Sequence, residues 1–137
     1  MQRLLPSLQA TEALAAEIAE GVRPGDAILL EGPLGAGKSA FARAFLRALS
    51  YNPALEVPSP TFTLVQTYDT PRGPVHHFDL WRLDGPAALE ELGWDDLTRD
   101  IVLVEWPDRL GYLTPENALT IRLAHAGEDA REATLVR

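Results

Sequence analysis

Gly32, Gly37, Lys38 and Ser39 stand at the spacing G-x-x-x-x-G-K-[ST], inside the stretch ILLEGPLGAGKSAFARAFL, residues 28–46. That spacing marks a phosphate-binding loop when a strand precedes it and a helix follows. Glycines at 32, 35 and 37 let backbone N–H groups turn inward around an anion, in a concavity that a Cβ would obstruct. A helix beginning near Lys38 would point its positive end at the same anion. Lys38 is the sole lysine of a chain with eleven arginines. A compact ammonium on a flexible stem can bridge β- and γ-phosphates as a point charge, where a wider, planar guanidinium does not fit. Ser39 offers the hydroxyl for Mg²⁺, an ion that otherwise keeps waters and phosphate oxygens as ligands. The competing reading, a glycine-rich connector that binds nothing, is disfavoured because motif and context agree.

Two acids are candidates for the magnesium or for the attacking water. Glu105 follows the apolar run Ile101–Val104, so its carboxylate should emerge at the carboxyl edge of a sheet, where open α/β folds bind ligands. Asp79 in HHFDL is the second, with a solvated strand-end cap as the bland alternative for both. His76 and His77 are adjacent on an expected strand, point to opposite faces and cannot share an ion. With His125 distant in sequence and no cysteine, a zinc site is disfavoured. Trp106 reads as core more readily than as a platform. Thr61 and Thr63 divide evenly between plain strand residues and γ-phosphate sensors. Asp108 to Gly111 fits D-x-x-G but lies beyond Pro107 rather than at a strand end, and is discounted.

The elements that must position these residues follow from periodicity. Leu8, Leu14, Ile18 and Val22 predict a surface helix from Ser7, its N-cap, to Gly21. DAILLEG predicts a buried strand over Ala27–Glu31. Phe41, Ala44, Phe45, Ala48 and Leu49 predict an amphipathic helix ending near Ser50. Two alternating segments, Thr61–Tyr68 and Val75–Leu80, predict an antiparallel hairpin turning at Pro71 and Gly73. A short helix is expected over Pro86–Leu92, a fully buried strand over Ile101–Val104, and a closing hairpin around Gly127.

The chain has 137 residues, 46% of them hydrophobic, which suffices for one packed core and predicts a single domain over 1–137. The absence of cysteine suits a reducing compartment, so a cytoplasmic location is expected. No run approaches a membrane span. A net charge of -8 repels polyphosphate chains, so any dealing with RNA should be indirect.

Three classes of phosphate-loop protein compete. A GTPase reads guanine through N-K-x-D, which a chain with its one lysine already in the phosphate loop does not contain. A small-molecule or nucleotide kinase needs a lid and an acceptor pocket, for which little chain is left; it is the runner-up. The third is an ATPase that switches protein partners. LEGPLGAGKSAFARAFL, SPTFTLVQTY, HFDLWRL, ELGWDDL and VLVEWPDRL, in this order and spacing, resemble the TsaE (YjeE) family, the bacterial ATPase of tRNA threonylcarbamoyladenosine synthesis. The resemblance covers nearly the whole chain. It implies a compact α/β P-loop fold with a mainly parallel sheet, ATP and Mg²⁺ as ligands, and TsaD and TsaB as partners. It also implies a slow hydrolase, stimulated by those partners, that resets them rather than performing the carbamoylation. It places phosphates on Gly35, Ala36, Gly37, Lys38, Ser39 and Ala40, magnesium on Ser39 and Glu105, and a conformationally sensitive acid at Asp79. Leu8 and Arg131 would line the nucleotide pocket. The family usually carries Thr-Thr where this chain has Ser39-Ala40, and Tyr at Trp81; Ser39 keeps the hydroxyl.

Overall fold

The computed structural model describes residues Met1–Arg137. Strand β1, Gln2–Leu5, precedes helix α1, Leu8–Gly21, which Ser7 caps by accepting the Ala10 N–H on its hydroxyl at 3.2 Å. Strand β2, Ala27–Glu31, and helix α2, Lys38–Ser50, flank the glycine-rich loop. Strands β3, Val65–Thr70, and β4, Gly73–Asp79, form a hairpin. Two short helices follow, α3 at Ala87–Glu91 and α4 at Trp94–Leu97. Strand β5, Ile101–Glu105, runs into a 3₁₀ helix, Pro107–Leu113. Strands β6, Leu119–His125, and β7, Arg131–Val136, close the chain as a second hairpin.

All seven strands share one sheet in the order β1-β7-β6-β2-β5-β4-β3. Its middle is parallel, β6 to β2, β2 to β5 and β5 to β4, while β1, β7 and β3 pair antiparallel towards the edges. Central β2 and β5 carry Ile28, Leu29, Leu30, Val102, Leu103 and Val104, buried because helices cover both faces. On one face Ile28, Leu30 and Leu103 pack with Leu14 of α1 and Phe41, Phe45 and Leu46 of α2. On the other, Leu29, Val102 and Val104 meet Leu89 of α3, Trp94 of α4 and Leu110. This is the expected α/β P-loop architecture, and it brings the carboxyl ends of β2, β5 and β4 side by side.

Two local expectations are corrected, and three elements were not expected. The strand expected over Thr61–Tyr68 begins only at Val65 and runs to Thr70, and its partner spans Gly73–Asp79 rather than Val75–Leu80. Pro58 and Pro60 cannot donate to a ladder, and the Leu64 N–H instead bonds the Pro60 carbonyl at 2.7 Å, with Leu64 at φ +73°. Thr61 and Thr63 therefore lie in a turn lifted from the sheet. Strand β1 and helix α4 had no sequence counterpart: β1 is four residues long and pairs with β7 at the far end of the chain. The 3₁₀ helix after Trp106 was likewise unanticipated.

Candidate functional site

The loop between β2 and α2 owes its shape to three glycines. Gly35 and Gly37 take φ of +80° and +104°, in the left-handed region that costs glycine little. Gly37 caps α2 without any side-chain acceptor, so the first-turn N–H groups of α2 are left to a ligand. Gly32 is needed for a different reason: a Cβ there would lie 2.5 Å from the Leu123 carbonyl oxygen of β6.

Beside this loop opens a cavity of about 450 Å³, lined by Gly35, Lys38, Ser39, Thr61, Asp79, Trp81, Glu105 and Trp106 among others. Lys38 is almost fully buried in its wall. Its Nζ donates to the Gly32 carbonyl at 2.5 Å and sits 3.2 Å from the centroid of the Trp106 ring. Burial pushes the Lys38 pKa down, and the Glu105, Asp79 and Asp108 carboxylates push back. Phosphate oxygens at the loop would add to that opposition and hold the ammonium charged.

Asp79 and Glu105 are register partners at the ends of β4 and β5. The Thr61 hydroxyl donates to Asp79 Oδ2 at 2.8 Å, and the Trp81 N–H donates to Oδ1 at 3.0 Å. Glu105 is held by His77, whose Nε2 lies 2.7 Å from Oε2. Two nearly buried carboxylates beside a phosphate cradle would repel a polyphosphate unless a cation lay between. Ser39, whose hydroxyl makes no hydrogen bond within the protein, lines the same cavity, and this all-oxygen set suits Mg²⁺.

A second hollow of about 400 Å³ shares Gly37 and Ala40 with the first, and adds Leu8 at the start of α1 and Arg131 at the start of β7. Arg131 also donates to the Gly35 carbonyl at 3.2 Å, which ties the closing hairpin to the loop. Both residues thus adjoin the cradle. A separate groove near Arg3, Glu17 and Asn117 shares no residue with either hollow.

The structure therefore brings Leu8, Gly35, Gly37, Lys38, Ser39, Ala40, Asp79, Glu105 and Arg131 around two adjoining hollows; Ala36 is buried beneath the loop. Two participants escaped the sequence. Trp106, read as core, takes φ +59°, lays its face on Lys38 and meets Trp81 with ring centroids 4.5 Å apart and planes tilted by 47°. His77, weighed only as a metal ligand, holds Glu105, while His76 on the opposite face meets Thr67 and Asp100. The alternation His76-His77-Phe78-Asp79 was the available signal, since it puts His77 on the face of Asp79.

A family model described as "Threonylcarbamoyl adenosine biosynthesis protein TsaE" matches residues 5–133. The Bacillus subtilis protein named tRNA threonylcarbamoyladenosine biosynthesis protein TsaE is 36% identical over 126 residues, covering 90% of this chain and 77% of that protein. The protein of the same name from Aquifex aeolicus is 40% identical over 106 residues, covering 77% and 76%. The crystal structure of Bacillus subtilis YdiB matches with a TM-score of 0.79 at 30% identity, covering 98% of this chain and 83% of that one.

Proposed function

This chain belongs to the TsaE family and serves the biosynthesis of threonylcarbamoyladenosine in tRNA, and from that premise we propose that it does so by binding and hydrolysing ATP with Mg²⁺. The observation that carries the reading is the meeting of the glycine loop, Lys38, Ser39, Asp79 and Glu105 in one cavity. Loop N–H groups and the start of α2 hold the phosphates, and Lys38 turns from the Gly32 carbonyl to the β- and γ-oxygens. Ser39 and Glu105 hold Mg²⁺, which neutralises charge developing on the phosphates when bound. Asp79, fixed by Thr61 and the Trp81 N–H, orients the attacking water or reports on the γ-phosphate through that turn. Leu8 and Arg131 border the nucleoside side. The whole chain acts as one cytoplasmic ATPase domain, slow alone and stimulated by TsaD and TsaB, with ATP and ADP changing its affinity for them.

Phosphate-release assays are expected to show ATP hydrolysis that requires Mg²⁺, with GTP a poor substrate because no N-K-x-D reads guanine. Equal GTP turnover would overturn the base preference, and ATP turnover unaffected by chelation would overturn the magnesium assignment.

The isolated chain is also expected to bind tRNA weakly or not at all. Non-specific RNA affinity comes from Lys and Arg neutralising phosphates and releasing counterions, and the net charge is -8. Arg43 and Arg47 form the one helical arginine pair, and Arg47 is engaged with the Leu55 carbonyl. Titration of labelled tRNA at physiological salt, beside a titration of the TsaD and TsaB complex, checks this. A Kd of about 1 μM or tighter without partners would refute action through proteins.

A further inference from the structure

We propose that His77 is a positioning residue that turns Glu105 so that one carboxylate oxygen faces the magnesium side of the cavity. The two residues are among the most buried polar ones of the chain, 2% and 4% exposed. His77 stands two residues before Asp79 on the same face of β4, opposite Leu103 of β5. From there its ring reaches along β5 to Glu105, the register partner of Asp79. An ionised carboxylate only accepts, so Nε2 carries the proton and donates to Oε2. No other protein group bonds the Glu105 carboxylate, so this one N–H sets its rotation. Oε1 is left free on a residue that lines the cavity.

The other ring nitrogen sharpens the assignment. Nδ1 of His77 is buried with no partner. Its neighbour His76 has both nitrogens engaged, by the Thr67 hydroxyl at 2.9 Å and Asp100 at 2.8 Å. A histidine kept only to satisfy the sheet would be expected to resemble His76, since buried polar groups are nearly always paired. At position 77 the single bond is directed to Glu105, and groups that orient a metal-facing carboxylate in this way typically change metal affinity 10- to 100-fold when removed.

The inference rests on the reading that Glu105 faces Mg²⁺, and the test separates the two. Isothermal titration calorimetry would measure ADP binding without Mg²⁺, then Mg²⁺ binding to the ADP complex, for the wild type, His77→Leu and His77→Gln, with thermal unfolding in parallel. In His77→Leu, Mg²⁺ affinity should fall about tenfold or more, with ADP affinity in the absence of Mg²⁺ within about twofold. His77→Gln, whose Nε2–H group can reach the same oxygen, should recover most of the loss. Unchanged Mg²⁺ affinity in His77→Leu, or equal losses in the Leu and Gln variants, would overturn the positioning role. Should His77→Leu fail to fold, His77→Asn replaces it: its shorter amide falls short of Oε2 and should lose affinity where Gln does not, and equal affinities would overturn the proposal. Mg²⁺ that fails to bind the wild-type ADP complex would overturn the parent reading instead.

Discussion

Lys38→Arg is expected to lower ATP turnover by about 100-fold or more, the scale for losing one preorganised electrostatic group, although formal charge is unchanged. The ammonium is enclosed between the Gly32 carbonyl and the face of Trp106, and its residue is 6% exposed. A planar guanidinium has neither the compactness to occupy that slot nor the freedom to swing from the carbonyl to phosphate oxygens. Single-turnover phosphate release measures the effect, and turnover within about threefold of wild type would reduce Lys38 to a long-range field and end the geometric argument. Lys38→Met separates function from folding. Since burial holds the folded-state pKa below the unfolded one, charging Lys38 costs folding free energy at neutral pH, and that cost fades as pH rises toward the unfolded value. The Met variant should therefore fold at least as stably as wild type at pH 7 while losing turnover. A large loss of stability would show that the carbonyl bond and the Trp106 contact outweigh desolvation.

What could be read from the sequence was whatever a local pattern determines. The phosphate loop, β2, α2 and the buried strand ending at Glu105 follow from spacing, helical period and a continuous apolar run, each complete within about 15 residues. Strand β1 and the Trp106 contact are not local. Gln2–Leu5 is a strand because β7 offers it an edge, with Gln2 opposite Thr134. Trp106 faces Lys38 because its backbone turns left-handed before Pro107, a conformation that no propensity assigns to tryptophan. The turn at Thr61–Leu64 lay between these cases. Pro58 and Pro60 gave the warning, but the alternation from Thr61 onward imitated a strand, and only the approach of Asp79 to the Thr61 hydroxyl explains where the segment goes. His77 was legible as a face assignment and illegible as a function, because its partner sits 28 residues away on the neighbouring strand.

Gly32→Ala should be the most destabilising single methyl addition in the phosphate loop, costing about 3 to 4 kcal/mol. At φ +150° the residue already occupies a region side chains avoid, and its new Cβ would meet the Leu123 carbonyl oxygen at 2.5 Å. That oxygen is backbone of β6, the parallel neighbour of β2, so the clash is relieved only by parting two central strands or by tilting the loop. Tilting the loop would also move the Gly32 carbonyl that anchors Lys38. Nucleotide affinity should therefore fall about tenfold or more even where the variant is folded, because the cradle and its ammonium shift together. Gly37→Ala gives the contrast: its Cβ meets nothing within 4 Å, so only the strain of φ +104° remains, about 1 to 3 kcal/mol. Gly21→Ala, with open space and no positive φ, should stay within about 0.5 kcal/mol of wild type. Urea denaturation monitored by circular dichroism ranks the three. A total stability of about 5 to 15 kcal/mol leaves room to resolve them. If Gly32→Ala unfolds within 1 kcal/mol of wild type, the close approach of β6 to the loop does not constrain this position, and the first glycine of the motif is required by the ligand alone.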